Sequence, residues 1–287
     1  MNFHDRLCIS TGVLAATGGE TLLEAIEMVK DAGFKGLELV ATAFGSPVGF
    51  PDIVPNLGLW PREYTRRERA ELKKRLEGFK TLSVHAQGVG LNIAYLNPGL
   101  REESQKQYIE SIELAVDLGI EVITFHCGSR AGNQRLPQET YAKYDIEFAR
   151  RVIPLAEEHG LLLGYESGPF ERLKKVVAEV NHPRFGINLD IGHAAMGGVS
   201  PEEWIKHFGE KIVEVHLNSV TRHSGGFIEH QPVERNNVID YEAVFSGLKG
   251  INYQGPLVLE LLGIDITQAL DVARRGAQIF TEIWEKV

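Results

Sequence analysis

The sequence predicts a single (β/α)8 TIM barrel of class α/β spanning residues 1–287, and three observations carry that expectation. Short, nearly continuous apolar runs alternate with longer amphipathic stretches, the pattern of successive βα units around a parallel sheet. Eight such units fill little more than the roughly 250 residues usual for a closed barrel. No stretch rich in Pro, Gly or Ser divides the chain, and with 43% hydrophobic and 24% charged residues it is neither disordered nor fibrous.

The strands are expected at 7–10, 36–40, 82–85, 121–126, 161–166, 185–190, 212–217 and 256–260. Their apolar continuity suits strands covered by helices outside and packed into a barrel interior. Between them, Ser200, Pro201 and Glu203 read as an N-cap, a first-turn proline and a capping-box glutamate, and Thr65 with Glu68 repeats the logic. Leu22, Ile26 and Val29 space the apolar face of the first helix, and Ile279, Phe280, Ile283 and Trp284 that of the last. Gly119, Gly160 and Gly250 stand where a helix ends in a left-handed residue. Two connections, 41–62 and 219–240, exceed the roughly 15 residues of an ordinary loop. The first carries Phe44, Phe50, Trp60 and prolines 47, 51, 55 and 61, a composition suited to an ordered lid, a packed cover or a contact between subunits.

A net charge of −9 argues against a protein that grips nucleic acid through a cationic face. No run approaches the roughly 18 apolar residues of a membrane span, and the start MNFHDR lacks a signal-peptide pattern, so a cytoplasmic protein is expected. Cys8 and Cys127 are too few for a disulfide framework or a cysteine metal knuckle. Any metal must be held by histidines and carboxylates. The basic run Arg66, Arg67, Arg69, Lys73, Lys74 and Arg75 is interleaved with Glu68, Glu71 and Glu77 and reads as a solvated helix face. Cys127 reads as a small buried residue.

The strands end repeatedly in groups that bind metals or move protons: His85, His126, Glu166, Asp190 with His193 just beyond, and Glu260, while His216 lies one residue before the end of the seventh. Strand C-termini converge on one mouth, where three carboxylates repel one another unless a cation or shared protons offset their charge. Glu166, Asp190, His216 and Glu260 come from four consecutive strands about 4.8 Å apart, within reach of one ion. An oxygen-rich set with one imidazole suits Mn²⁺ first, with Mg²⁺, Co²⁺ or Zn²⁺ as alternatives. Vacant positions on such an ion would admit a hydroxy-ketone, and Glu166 and Glu260 are the candidate bases for the carbon beside its carbonyl. There is no HExxH, P-loop, GxSxG elbow or strand-coupled GxGxxG.

The segments SVHA (83–86), TFHCG (124–128), GYESGP (164–169), NLDIGHA (188–194), EVHLNS (214–219) and VLELLG (258–263) resemble those of the xylose-isomerase-like barrel superfamily. Within it they look most like the sugar isomerases and epimerases related to tagatose 3-epimerase and hydroxypyruvate isomerase. The similarity covers essentially the whole chain, and LDIGHA followed by VHLNS is its most specific part. It implies a divalent metal on Glu166, Asp190, His216 and Glu260, two glutamates that also shuttle protons, and His193 on substrate hydroxyls. It further implies pocket roles for His85, His126, His230 and Arg222, the last being the arginine six residues after the metal histidine. The partner expected is a small carbohydrate, phosphorylated or not, with no nucleic acid, no membrane, and a possible homo-oligomer. Arg130 and Arg135 are candidates for a substrate anion.

Three rivals use the same residues. A dehydratase, as in the inosose dehydratases that resemble this scaffold, would expel a β-oxygen from the same enediolate. An endonuclease IV-type AP endonuclease would use His85, His126, Glu166, Asp190, His193, His216, His230 and Glu260 for three zinc ions. Against it, Ile228 stands where that class has an aspartate two residues before His230. A non-catalytic carbohydrate-binding protein has no need of both glutamates.

Overall fold

The computed structural model describes residues 2–14, 20–41, 57–86, 90–130, 135–166, 168–261 and 265–287. Eight parallel strands close into one barrel: β1 (Leu7–Ser10), β2 (Gly36–Ala41), β3 (Thr81–Ala86), β4 (Val122–His126), β5 (Leu162–Glu166), β6 (Phe185–Asp190), β7 (Ile212–Leu217) and β10 (Leu257–Leu259). Neighbours pair in chain order, and β10 closes the ring between β7 and β1. The expected strands at 7–10, 185–190 and 212–217 agree residue for residue with β1, β6 and β7. The eighth is shorter than expected, so Glu260 sits one residue past it, with its N–H donating to Leu217 O at 3.1 Å.

The helices form where caps and apolar faces direct them. Helix α1 (Phe3–Arg6) precedes β1; α2 (Leu22–Asp31) and α3 (Arg66–Arg75) each start with a complete capping box, Thr21 with Glu24 and Thr65 with Glu68. Such a cap contributes about 1 kcal/mol. Helices α4 (Pro98–Leu118) and α5 (Gln138–His159) end at Gly119 and Gly160, both left-handed (φ 74° and 72°), as their sequence required. Helix α6 (Phe170–Val180) ends on Asn181, also left-handed, and the short α7 (Ile191–Met196) follows β6 directly. Helix α8 (Pro201–Phe208) begins at Ser200, whose side chain accepts from Glu203 N–H.

Gly250 corrects an expectation. It is the last residue of α9 (Tyr241–Gly250), and Asn252 takes the positive φ, 52°, because the chain continues one further turn beyond the glycine. Helix α10 (Ile266–Lys286) buries Phe280 fully against Tyr241 and Phe245, while Ile279, Ile283 and Trp284 pack at its edge. The core lies between strands and helices, as in the aromatic chain Tyr108, Phe125, Phe148 and Tyr165, with ring centroids 5.1–5.9 Å apart. Truncating a ring such as Phe125 to alanine costs about 3–5 kcal/mol.

The two long connections differ. Between 219 and 240 the chain forms an antiparallel hairpin, β8 (Val220–His223) with β9 (Gly226–Glu229), in place of the plain loop the sequence predicts. Most of the expected lid, including Phe44, Phe50 and prolines 47, 51 and 55, lies outside the described residues. Its end is tied down: Leu57 N–H donates to Leu14 O and Leu59 N–H to Val40 O, and both leucines are buried. The basic run on α3 is the solvated face expected, with Arg66, Arg67, Lys73, Lys74 and Arg75 exposed and Arg75 paired with Glu71 one turn back, while the half-buried Arg69 pairs with Asp117 of α4 at 2.6 Å. Among the described residues no helix is long and apolar enough to cross a membrane.

Candidate active site

At the C-terminal mouth of the barrel, β5 ends in Glu166, β6 in Asp190, β7 carries His216 and Glu260 follows β10. One ligand atom from each of these four lies within 4.8 Å of the others, so the residues singled out in sequence stand around one point. His216 is their hub. Its Nδ1 faces Glu166 Oε1 at 2.9 Å, Glu260 Oε2 at 3.2 Å and Asp190 Oδ2 at 3.9 Å. That nitrogen is buried, yet it makes no properly directed hydrogen bond. An inward imidazole nitrogen ringed by three carboxylates is the donor set of a divalent cation with open positions, so these residues fit one.

The remaining histidines stand close by. His85 Nε2 and His126 Nε2 approach Glu166 Oε2 at 3.0 and 2.8 Å, and His85 Nδ1–H donates to Ala86 O. His193, in the first turn after β6, donates its backbone N–H to Asp190 Oδ1 at 2.7 Å and sets Nε2 3.3 Å from Glu229 of the hairpin. His230 adopts a positive φ of 56°, donates Nδ1–H to Glu260 O and lies 3.8 Å from Glu260 Oε2. Arg222 is not brought into this cluster: it is exposed on β8 with its guanidinium 4.9 Å over the Phe227 ring. Arg130 and Arg135 are also exposed.

Charge at the mouth is mutually supported by histidines rather than by lysine or arginine. Burial disfavours the ionised form of Glu166, but His216, His126 and His85 hold its carboxyl well below the usual range. Burial likewise opposes charge on Glu260, and His216 with His230 brings it down to about 2. The imidazoles respond in kind. Against burial, Glu166 raises His85 to about 10, and Asp190 with Glu229 raises His193 to about 10. Three further triads of ligand atoms at the mouth share members with the first: His85, His216 and Glu260; His85, His126 and Glu166; and Asp190, His193 and His230.

Sequence reasoning missed the layer beneath. Glu38 of β2, Asn188 of β6 and Glu214 of β7 are buried under His216, and Asn218 donates Nδ2–H to Asp190 Oδ2 at 2.8 Å. A signal was present, because Asn188 and Glu214 stand two residues before Asp190 and His216, and alternate residues of a strand share a face. Cys127, as expected, is buried: Arg172 donates to its Sγ at 2.8 Å, and burial pushes the thiol up to about 12.

The barrel with a carboxylate and histidine mouth defines a class, and the chain belongs to it: the xylose isomerase-like TIM barrel family matches residues 26–283. Its relatives include the protein MJ1311 of Methanocaldococcus jannaschii, 26% identical over 284 residues, 92% of this chain and 87% of that one. "Putative L-ribulose-5-phosphate 3-epimerase SgbU" of Haemophilus influenzae is 30% identical over 173 residues, 56% of this chain and 59% of that one. "Probable endonuclease 4" of Aquifex aeolicus is 27% identical over 180 residues, 58% and 62% of the two chains. Among solved structures, a D-tagatose 3-epimerase-like protein superposes with a TM-score of 0.75 at 22% identity over 98% of each chain. The IOLI protein with a binding zinc atom superposes with a TM-score of 0.73 at 17% identity, again over 98% of each chain. At these identities the structural likeness is one of fold.

Proposed function

We propose that this protein is a cytoplasmic, divalent-metal-dependent isomerase or epimerase of a keto-sugar or sugar phosphate. The observation that carries the reading is His216 Nδ1, buried, without a hydrogen bond and ringed by Glu166, Asp190 and Glu260. A divalent cation, Mn²⁺ first, would be held by these four, and when bound supplies Lewis-acid stabilisation of the charge that develops on a substrate carbonyl oxygen. One of Glu166 and Glu260 takes the proton from the carbon beside the carbonyl. The other, handed a proton by the histidine beside it (His85 or His126 for Glu166, His230 for Glu260), returns it to the opposite face to give an epimer, whereas return to the adjacent carbon, with the hydroxyl proton passing to the former carbonyl oxygen, gives an isomer. His193 orients hydroxyls, and His85, His126 and His230 line the pocket around the two glutamates. The epimerase names among the relative and the structural neighbour support the reaction class.

Incubation of C3 to C6 ketoses and their phosphates in D₂O with Mn²⁺ tests the reading. Deuterium entering the product without loss of water is the expected result, a deoxy-dicarbonyl product would assign a dehydratase, and no exchange with any of them would refute both.

A second reading has its own observation. The triads built on His126 and on His193 with His230 give the mouth ligands for more than one ion, and Glu229, adjacent to Ile228, presents its carboxylate to His193 at 3.3 Å. That partly replaces the aspartate the sequence lacks for an endonuclease IV-type centre. The net charge of −9 opposes a DNA partner. Metal analysis separates the two: about one ion per chain accords with the isomerase, and about three, with cleavage of abasic DNA, with the nuclease.

A further inference from the structure

Below the mouth, the barrel interior holds two carboxylates that no substrate can reach. Glu38 and Glu214 are both 0% exposed, and they converge on the far side of His216 from the ligand cluster. Glu38 Oε2 lies 3.1 Å from His216 Nε2, reaching across the barrel from β2 to β7. Glu214 stands farther, 4.0 Å from the same nitrogen, and its Oε2 accepts instead from Thr124 Oγ1 at 2.6 Å. Asn188 completes the pocket, with its Nδ2 placed 2.6 Å from Nε2.

We propose that Glu38 is a positioning residue, which accepts the Nε2–H of His216 and so fixes the imidazole in the tautomer and orientation that turn the Nδ1 lone pair toward the mouth. A neutral imidazole carries one proton. If Nδ1 is to bind a cation the proton must be on Nε2, and a buried N–H without an acceptor costs about 1–3 kcal/mol. Glu38 is the carboxylate within hydrogen-bond distance of Nε2. Two N–H groups cannot face each other, so this assignment turns the Asn188 amide over and brings its oxygen, otherwise without a partner in the core, to the ring in place of Nδ2. A carboxylate behind a metal-facing histidine also raises the basicity of the ligand nitrogen. Burying such a charge is otherwise costly, so a residue at this place must be matched by a strong partner.

This inference rests on the metal reading of His216, and the experiment keeps the two apart. Zn²⁺ affinity is measured by competition calorimetry for the full chain, wild type beside Glu38→Gln, Glu38→Leu and Glu214→Gln, with ¹⁵N chemical shifts of the His216 ring in the Zn²⁺-loaded proteins. Circular dichroism verifies that each variant is folded. The expectation is a 10–100-fold loss for Glu38→Leu, about tenfold for Glu38→Gln, whose amide oxygen still accepts from Nε2–H, and no more than about twofold for Glu214→Gln. The ring shifts should report Nε2–H in wild type and Glu38→Gln and a changed Nε2 environment in Glu38→Leu. Equal affinities and shifts across all four proteins would overturn the role of Glu38 and leave the metal site standing. A loss in Glu214→Gln as large as in Glu38→Gln would also overturn it, by tracing the effect to core charge rather than to one hydrogen bond. A second Zn²⁺ per chain that disappears with Glu38 would replace it with a metal site in the core itself. A wild type that takes up no Zn²⁺ would sink this proposal and the metal reading together.

Discussion

Two regions bury acids, and they balance them differently. Behind the β4 end, Asp145 of α5 faces Arg172 of α6, Nε to Oδ2 at 3.4 Å, and accepts Gly128 N–H at 2.6 Å, while Arg172 also stacks 5.3 Å over the Tyr141 ring. There the acid meets a permanent cation of the same chain, although Asp145 Oδ2 and Arg172 Nε face each other without a properly directed hydrogen bond. At the mouth, the ion-pair partners of Glu166, Asp190 and Glu260 are imidazoles, and among the described residues no lysine or arginine pairs with them. A guanidinium neutralises a carboxylate permanently, because it does not lose its proton. Imidazoles give up theirs to a metal or a substrate. The first region is therefore built for stability and the second for exchangeable charge.

The largest effects should come from the mouth. Glu166→Gln and Glu260→Gln each remove a proton carrier while keeping shape, and general-base loss amounts to about 10²–10⁴-fold. Deuterium exchange into a turned-over ketose should fall by that factor in both variants while sugar binding persists. Full turnover in either would show that it carries no proton. The mirror experiment is Asp145→Ala, which leaves Arg172 buried without its partner and should lower unfolding free energy by about 3–5 kcal/mol in denaturant titration. Exchange activity per folded molecule should change far less than in the glutamate variants. A loss of activity without a loss of stability would break the division between the regions.

The regions also differ in their response to acid. Burial raises the Asp145 carboxyl from an ordinary value of 3.8 to about 6, with Arg172 and the Gly128 N–H opposing the shift. The native state therefore holds this proton more tightly than the unfolded chain. The penalty for its ionisation is complete above about pH 6 and is relieved as pH falls toward 3.8. Between pH 7 and 4 the wild type should gain about 2 kcal/mol relative to Asp145→Asn, in a series of urea unfolding curves. Glu260, held at about 2, has the opposite sign: its contribution is present above its unfolded value and is lost as pH falls through about 2. A wild type that loses ground to Asp145→Asn on acidification would show that Arg172, not burial, governs that carboxylate.

The barrel and its mouth were legible because strand ends are marked twice, by apolar runs that stop and by the histidines and acids that stop them. Asp190, for example, closes an unbroken buried strand and caps the following turn. The supporting layer was harder to see. Glu38 and Glu214 look like single polar interruptions of apolar strands, and only closure of the barrel, which leaves β1 and β10 alone between β2 and β7, gives them a common partner in His216. The hairpin at 220–229 was missed for a related reason: its strands are four residues each and mostly exposed, too short for a period to register. Gly250 misled because Asn252 supplies the left-handed turn two residues later.

The finest test of the mouth concerns a residue with no side chain. A Cβ on Gly192, in the first turn of α7, would lie 2.3 Å from Asn218 Oδ1 and 3.0 Å from its Cγ. Asn218 is fully buried at the end of β7, so it has no solvent to retreat into, and its Nδ2–H holds Asp190 Oδ2. Gly192→Ala should therefore displace the amide and release one oxygen of the proposed ligand, while the other stays bound to His193 N–H. Loss of a supporting hydrogen bond of this kind lowers metal affinity about tenfold. Zn²⁺ titration of Gly192→Ala should show that drop, and Gly192→Ala combined with Asn218→Ala, which clears the clash but leaves Asp190 unsupported, should bind no better. Recovery of wild-type affinity in the double variant would mean that Asp190 needs no partner, and that the mouth is organised by its ion alone.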